Sequence, residues 1–235
     1  MPVKAVLLDF YGTLAEMPSV GPSWDAVLAE AGYTLTEGAR RRYWQDGIDG
    51  SEHDEHSRSR DHYVAWQRAR TSELLAACGV PAGDHDALID VMHGRLHGRP
   101  ITAYDEALPV LRERRDRGVS LAICSNWDWD LLEAVDRAGL DGTVDVVVSS
   151  AWVGARKPHP RIYAHTLDLV GVAPDDVLFV GDTWACDVEG PRAAGLRTMY
   201  LRRPHFGVDH TAPDDPGAHT DVHQAGDLTR LLDLV

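Results

Sequence analysis

Short apolar runs recur along the chain, each followed by a stretch in which apolar residues have helical spacing. Five such runs, rich in aliphatic residues, are found at residues 3–8, 119–124, 144–149, 177–180 and 198–201. Their length and their lack of polar alternation are typical of strands buried on both faces. Helical spacing, ending near a glycine stop signal, is found at residues 104–116, 130–138 and 159–169. This alternation predicts an α/β fold built on a parallel sheet.

One long stretch, residues 16–99, breaks this alternation. It has helical periodicity and several aromatic residues but no convincing strand. Because it leaves after the first strand and returns before the second, it would lie over the carboxyl ends of the strands, where open α/β sheets bind ligands. We therefore predict a core formed by residues 1–15 and 100–235 and a helical cap at residues 16–99. The Pro and Gly content predicts hinges near residues 17–22 and 98–102.

The last part of the chain carries a weaker pattern. Residues 204–226 are rich in His, Asp, Pro and Gly, which predicts a surface loop. Apolar residues return at 228–234 and predict a short final helix.

Composition and charge limit the partners of the chain. Its 235 residues carry a formal net charge of −14, which repels phosphate backbones and anionic lipids, so we expect no nucleic-acid or membrane binding. The three cysteines lack metal-ligand spacing, and we find neither a signal-peptide pattern nor an apolar stretch of ~18 residues. These features predict a cytoplasmic protein. The sequence leaves the formation of a homodimer open.

The first predicted strand ends at a candidate nucleophile, Asp9, within the sequence Asp-Phe-Tyr-Gly-Thr. A carboxylate at this edge of a sheet can act as a nucleophile and as a metal ligand. Gly12 permits a sharp turn, and Thr13 would orient the loop. Taken alone, Asp9 would more simply cap a turn, but three further motifs occur in register with it.

These further motifs follow later strands. Ser125 and Asn126 come directly after an apolar run and would present a hydroxyl and backbone N–H groups to an oxyanion. Lys157 would neutralise the negative charges that a substrate and a nucleophile bring together. Asp182 and Asp187 offer two carboxylates at another strand end, and hard oxygen ligands around a phosphate-sized gap suit Mg²⁺.

In this order, the four motifs resemble those of the haloacid dehalogenase-like (HAD) hydrolase superfamily over nearly the whole core. The later motifs look like the branch that inserts a helical cap after the first strand. The resemblance implies a Rossmann-like doubly wound sheet of order 5-4-1-2-3 and a covalent intermediate on Asp9. It also implies that Asp182 is a direct metal ligand, that Asp187 contacts the metal only through water or supports its direct ligands, and that Ser125 and Lys157 hold the transferring group.

Position 11 departs from the pattern of the phosphatases in this superfamily. They have an aspartate there that protonates the leaving group, an effect worth ~10²–10⁴-fold, whereas this chain has Tyr11. The resemblance implies that the backbone carbonyl of residue 11 still binds the metal. Tyrosine at this position, together with Ser125-Asn126, Lys157 and Tyr163, is similar to the metal-free 2-haloacid dehalogenases, whose halide needs no proton. The residues themselves leave open whether Tyr11 contacts the substrate or packs under the cap.

The fourth motif favours a metal. The dehalogenases have a neutral residue in place of the first acid, whereas this chain keeps Asp182 and Asp187, which would repel each other without a cation. We therefore predict a Mg²⁺-dependent phosphatase of a small-molecule substrate. The alternatives are a metal-free 2-haloacid dehalogenase-like hydrolase, for which residues 40–42 offer candidate halide-binding arginines, and a non-catalytic binding protein of the same fold. The intact acids, Ser125 and Lys157 disfavour the last.

Overall fold

A parallel sheet dominates the part of the protein that the computed structural model describes, which is residues 3–17, 23–44, 48–96, 99–203 and 209–234. In chain order the strands are β1 (Ala5–Leu8), β2 (Ala15–Glu16), β3 (Thr102–Ala103), β4 (Ser120–Ser125), β5 (Val146–Ser149), β6 (Val177–Gly181), β7 (Arg197–Leu201) and β8 (His223–Ala225). Six of them form one sheet of order β5-β4-β1-β6-β7-β8, in which all the pairings are parallel. β2 and β3 form a separate antiparallel pair.

Helices follow the strands in the alternating pattern that the sequence predicts. A π-helical turn spans Trp184–Glu189. The α-helices are α1 (Trp24–Glu30), α2 (Glu37–Trp44), α3 (Arg60–Ala77), α4 (His85–Leu96), α5 (Ala107–Asp116), α6 (Leu131–Arg137), α7 (Ser150–Val153), α8 (Pro160–Val170), α9 (Gly190–Ala193) and α10 (Leu231–Leu234).

Both faces of the sheet are buried, which explains why its strands are apolar runs without polar alternation. Successive side chains of β1 point to opposite faces. Val6 and Leu8 belong to one apolar cluster, which includes residues of α5 and α6. Ala5 and Leu7 belong to a second cluster, which includes Tyr163 of α8. The predicted α/β class with a doubly covered parallel sheet is therefore confirmed.

The observed strand order agrees with the predicted order 5-4-1-2-3 for the five predicted strands and adds a sixth. β8 pairs with β7 at the edge of the sheet. The prediction of a surface loop through residues 204–226 is therefore wrong at residues 223–225. The sequence of β8, His-Gln-Ala, is short and polar because it is an edge strand that needs little burial, so it gives no apolar signal.

The four helices α1 to α4 pack around an apolar cluster of their own. Its buried members include Leu28, Leu74, Leu75, Ile89 and Met92. These helices lie between β2 and β3, whose pairing brings together the two chain segments on either side of them. Our division into a core and a cap with the stated boundaries stays a prediction. The predicted hinges fall partly on residues 18–22 and 98, outside the described residues.

The longest helices are too polar or too short for a lipid bilayer. Within the described part of the chain, no helix is long and apolar enough to cross a membrane.

Candidate active site

Asp9 lies at the carboxyl end of the sheet, one residue beyond β1. Its backbone N–H donates to the carbonyl of Val180 at 2.9 Å, which extends the pairing of β1 with β6. The residue is 7% exposed. Its Oδ1 accepts hydrogen bonds from Ser125 Oγ at 2.9 Å and from Lys157 Nζ at 2.7 Å. Ser125 reaches Asp9 because β4 and β1 are neighbours that end at the same edge.

Lys157 joins two carboxylates inside the protein. Its side chain is 1% exposed, and Nζ donates to Asp9 Oδ1 at 2.7 Å and to Asp187 Oδ1 at 2.6 Å. Burial by itself lowers the pKa of Lys157, but the charges of Asp187 and Asp9 outweigh it and raise this pKa well above its ordinary value. Lys157 is therefore a fixed positive charge beside the candidate nucleophile.

Asn126 holds the backbone of Lys157 in place. Its Oδ1 accepts from the Lys157 N–H at 2.6 Å, and its Nδ2 donates to the Lys157 carbonyl at 2.9 Å. The sequence suggests that Asn126 helps to bind an oxyanion. The described contacts of its side chain are instead with the Lys157 backbone, Asp49 and Cys186. Asn126 therefore acts on the site by fixing Lys157.

The acids of the fourth motif meet Asp9 at the same edge of the sheet. Asp9, Asp182 and Asp187 each offer one carboxylate oxygen, and these oxygens lie within 4.8 Å of one another. Asp182 Oδ1 accepts from Thr13 Oγ1 at 3.3 Å. Asp187 Oδ2 accepts from the Thr183 N–H at 2.9 Å. The site residues predicted from the first and fourth motifs therefore form one cluster.

A glycine at the end of β6 makes this cluster possible. A Cβ atom on Gly181 would lie 2.3 Å from Cγ of Asp187. Any side chain there would push the Asp187 carboxylate away from the strand end. The space that the Asp187 carboxylate needs thus explains why a glycine precedes Asp182 in the fourth motif.

The charges in the cluster do not balance without a cation. When all three carboxylates are ionised, the ammonium group of Lys157 offsets one of their charges, and the two that remain equal the charge of one divalent ion. Burial and the charges of the neighbouring acids raise the pKa of Asp182 to about 8. Burial, opposed in part by Lys157, raises the pKa of Asp187 to about 6. These oxygen ligands and this charge deficit fit Mg²⁺.

The two tyrosines that resemble those of the dehalogenases lie in different surroundings. Tyr11 is 37% exposed, and its ring centroid is 6.3 Å from that of Trp127. Partial burial raises the pKa of Tyr11, so its phenol keeps its proton at neutral pH. Tyr163 is buried, and its hydroxyl donates to the Cys186 carbonyl at 2.6 Å. Tyr163 therefore anchors the turn that carries Asp187.

A cavity of about 440 Å³ opens beside these motifs, between the helices α1 to α3 and the loop that follows β4. Asn126 and Trp127, directly after Ser125, line it. It is large enough for a small molecule. A second cavity, of about 500 Å³, shares part of this lining. Most of the side chains around both cavities come from elements without a recognisable motif, so the sequence alone does not mark them as site residues.

The arginines at the cavity are not those that the sequence suggested. Arg40 forms an exposed ion pair with Asp25 at 2.7 Å. Arg41 and Arg42 are exposed, and none of these three residues lines the 440 Å³ cavity. The arginines that line it are Arg70, Arg99, Arg137 and Arg156.

Comparison with known proteins agrees with this geometry. A family model described as haloacid dehalogenase-like hydrolase matches residues 3–195. A phosphoserine phosphatase from Thermus thermophilus is 39% identical over 130 residues, which are 55% of this chain and 49% of that protein. The chain thus spans about half the length of this curated relative.

Two further relatives match over nearly the whole chain. A ribulose-1,5-bisphosphate 5-phosphatase from Halopiger xanaduensis is 28% identical over 240 residues, with 98% of each chain covered. A solved structure described as a dehalogenase is 25% identical and has a TM-score of 0.63, covering 99% of this chain and 97% of that one. The relatives therefore include both phosphatases and dehalogenases.

Proposed function

Because the chain belongs to the haloacid dehalogenase-like hydrolase family, we propose that this hydrolase is a Mg²⁺-dependent phosphatase of a small-molecule ester. The observation that carries the proposal is the cluster of Asp9, Asp182 and Asp187 around Lys157, with its deficit of positive charge. Phosphatases among the relatives support it. The 440 Å³ cavity beside the cluster supports a small-molecule substrate.

Asp9 would act as the nucleophile. Ser125 and Lys157 both contact Oδ1, so they fix the carboxylate and leave Oδ2 to attack phosphorus. A bond forms between Asp9 and phosphorus while the bond from phosphorus to the ester oxygen breaks. Water then attacks phosphorus, which releases inorganic phosphate and restores the carboxylate.

Asp9, Asp182 and Asp187, with the backbone carbonyl of residue 11, would hold the metal ion. When bound, Mg²⁺ supplies positive charge that stabilises the developing charge on the phosphoryl oxygens. Lys157 adds a second positive charge from the protein itself. Thr13 would keep Asp182 in position through the hydrogen bond to its carboxylate.

Tyr11 would limit which esters react well. The leaving oxygen carries away the electron pair of the broken bond and takes up a proton, and no carboxylate is present at position 11 to deliver it. The neutral phenol of Tyr11 is a weak acid, because its pKa is raised by burial. We therefore expect esters with acidic leaving groups to react fastest.

The proposal is tested by phosphate release from 4-nitrophenyl phosphate with added Mg²⁺ or with a chelator. We expect turnover only with the metal, and a loss of about 10³-fold or more in Asp9→Asn. Asp175→Asn is the matched control, because this exposed acid lies before β6, at the opposite edge of the sheet. Full turnover in excess chelator would contradict metal dependence.

A metal-free dehalogenase is the second candidate, favoured by Tyr11 and by the dehalogenase structure of similar fold. Asp9 would then attack the carbon that bears the halide, and water would hydrolyse the resulting ester. Chloride release from 2-chloropropionate in the presence of chelator tests it. We expect little release, because three carboxylates around one lysine repel an anionic haloacid.

A further inference from the structure

The 440 Å³ cavity beside the candidate active site combines aromatic and cationic side chains. Trp24, Tyr43, Trp44 and Trp127 contribute aromatic rings to its lining. The rings of Trp24, Tyr43 and Trp44 also contact one another, with centroids 4.6 to 5.3 Å apart. A planar organic group fits such a surface by stacking.

The carboxylates that line this cavity already have donors. Each of the three accepts a hydrogen bond from a neighbouring side chain, and two of them also lie near an arginine. The donors are Tyr63 and Gln67 for Asp128, Asn126 and Arg156 for Asp49, and Trp127 and Arg137 for Asp130. These acids are therefore poor sites for a substrate cation.

Arg70, on α3, differs from these acids because it lacks a partner of opposite charge in the part of the chain that the structure describes. Its Nη2 donates to the Tyr43 carbonyl at 2.7 Å and its Nη1 to Gln67 Oε1 at 3.1 Å. Its guanidinium carbon lies 4.5 Å from the centroid of the Tyr43 ring and 5.1 Å from that of Trp66. All these partners are uncharged. Among the described residues, no carboxylate lies within ion-pair distance of Arg70.

Arg70 also shares the cavity with a like charge. Burial lowers the pKa of Arg70, and the positive charge of Arg156 acts in the same direction. Two guanidinium groups that line one cavity, one of them without a carboxylate partner, favour an anion between them. Arg156 directly precedes Lys157, so this anion would lie near the phosphoryl group but would be distinct from it.

We infer that the substrate is a phosphate ester with a planar body and a second anionic group, which Arg70 and Arg156 bind. The inference rests on the proposed function, because the phosphoryl end must lie at Asp9. The planar guanidinium of Arg70 is suited to paired hydrogen bonds with a carboxylate or a second phosphate. The aromatic rings of the cavity would contact the body of the substrate.

The test compares two aryl phosphates of nearly equal size, 4-(carboxymethyl)phenyl phosphate and its uncharged amide, 4-(carbamoylmethyl)phenyl phosphate. The methylene group keeps the acidity of the two leaving groups similar, so the comparison isolates the second anion. We expect kcat/KM of the wild-type protein to favour the carboxylate by about 10- to 100-fold, mainly through KM. Arg70→Gln should reduce this preference to nearly one.

Arg68→Gln is the matched control. Arg68 lies on the same helix but pairs with Asp86 and Asp90 and does not line the cavity. This variant should keep the preference, which excludes an effect of net charge. The ratio of two substrates does not depend on the fraction of folded protein, so lower stability of Arg70→Gln does not affect the result. Arg70→Lys, which keeps the charge but not the planar donors, should give an intermediate ratio.

Two results would overturn the inference: equal kcat/KM for both esters in the wild type, or an unchanged preference in Arg70→Gln. Failure of the proposed function is distinguishable, because neither ester would then be hydrolysed. In that case calorimetry of both esters with Asp9→Asn in the presence of Mg²⁺ gives the ratio of Kd values without turnover. A ratio near one rejects the anion site, and a ratio of about 10 or more supports it.

Discussion

The side chain at position 11 determines how the candidate site handles a leaving group. Tyr11→Asp would place a carboxyl group where only a weakly acidic phenol now stands. We expect kcat/KM of alkyl phosphates to rise by up to ~10²-fold and that of aryl phosphates to change little, because kcat/KM reports formation of the aspartyl phosphate and only poor leaving groups need a proton in that step. Values of kcat/KM for a matched alkyl and aryl pair measure this difference.

Tyr11→Phe controls for the loss of the hydroxyl alone. It should leave both rates nearly unchanged if the phenol has no role in proton transfer. Equal losses on both substrates in Tyr11→Asp would show instead that Tyr11 is a packing or substrate-contact residue, and the account of a missing acid would be wrong.

At this scale the sequence predicts residues that lie at strand ends. Ser125 and Asp182 meet Asp9 because parallel strands finish at a common edge, and the π-helical turn after β6 returns Asp187 to the same place. Arg70 was not predicted, because it lies on an amphipathic helix, where arginine is usually solvated. Its role depends on the packing of α3 against α2, which has no local sequence signal.

Among the elements, the paired strands β2 and β3 connect the sheet to the helices α1 to α4. Arg203 reaches this junction from beyond β7: its Nη2 donates to the Thr13 carbonyl at 2.7 Å and its Nε to the Gly12 carbonyl at 3.2 Å. The guanidinium also pairs with Glu106 at 2.7 Å and lies over the ring of Tyr104. Arg203 thus anchors the loop that follows Asp9.

We expect Arg203→Met to lower the free energy of unfolding by about 2–4 kcal/mol, because it leaves two carbonyls and a carboxylate without their donor. The affinity for Mg²⁺ should fall as well, because the loop carries residue 11. Urea unfolding and Mg²⁺ titration of the activity measure both effects. Arg202→Met, at an exposed neighbouring position, should change neither quantity appreciably. Equal behaviour of the two variants would contradict an anchoring role.

The sequence predicted the helices with strong periodicity but missed the edge strand β8. Helices α5, α6 and α8 begin and end within about three residues of the predicted ranges, because each has an apolar face and a glycine near its end. β8 was missed because pairing with β7, and not apolar content, makes it a strand. The anchoring role of Arg203 was not predicted, because its contacts join parts of the chain about 190 residues apart.

On the scale of the whole molecule, residues 49–54 dock onto the segment that contains Lys157. Glu52 and Ala155 form an antiparallel bridge, and the His53 N–H donates to the Gly154 carbonyl at 2.7 Å. Arg161 pairs with Asp54 at 2.9 Å. The helical part of the chain therefore contacts the core next to its buried lysine.

Gly154 permits this close contact. It ends α7 with φ +73°, and a Cβ there would lie 2.5 Å from Cα of Asp54. We expect Gly154→Ala to lower kcat/KM by about 10-fold or more, because the docked segment and Lys157 must shift. Steady-state assays and thermal unfolding measure the change.

Gly171→Ala is the matched control for this prediction. Gly171 ends α8 with φ +69°, but no atom lies within 4 Å of its ideal Cβ position. Both variants should lose about 1–2 kcal/mol of stability from backbone strain alone. Only Gly154→Ala should lose activity, and equal activities would show that the docked segment does not position Lys157.

The sequence predicted the α/β class and a helical insertion over the carboxyl ends of the strands, but not which residues of the two parts contact each other. Contacts such as Glu52 with Ala155 are made by the backbone, so residue types at these positions reveal little. The boundaries of the cap, and the formation of a homodimer, stay predictions.

The central claim is that Asp9 accepts a phosphoryl group. Position 11 has no carboxylate. This absence slows the departure of poor leaving groups, and it also leaves the attacking water without a strong base. With 4-nitrophenyl phosphate the first step needs no proton, so hydrolysis of the aspartyl phosphate should limit the rate, and this intermediate should accumulate.

The most direct measurement is the mass of the protein after acid quenching during turnover of 4-nitrophenyl phosphate with Mg²⁺. We predict one added phosphoryl group on the peptide that contains Asp9, an accompanying burst of nitrophenol, and neither of them in Asp9→Asn or in excess chelator. Steady release of nitrophenol without a burst and without a phosphorylated peptide would contradict the account.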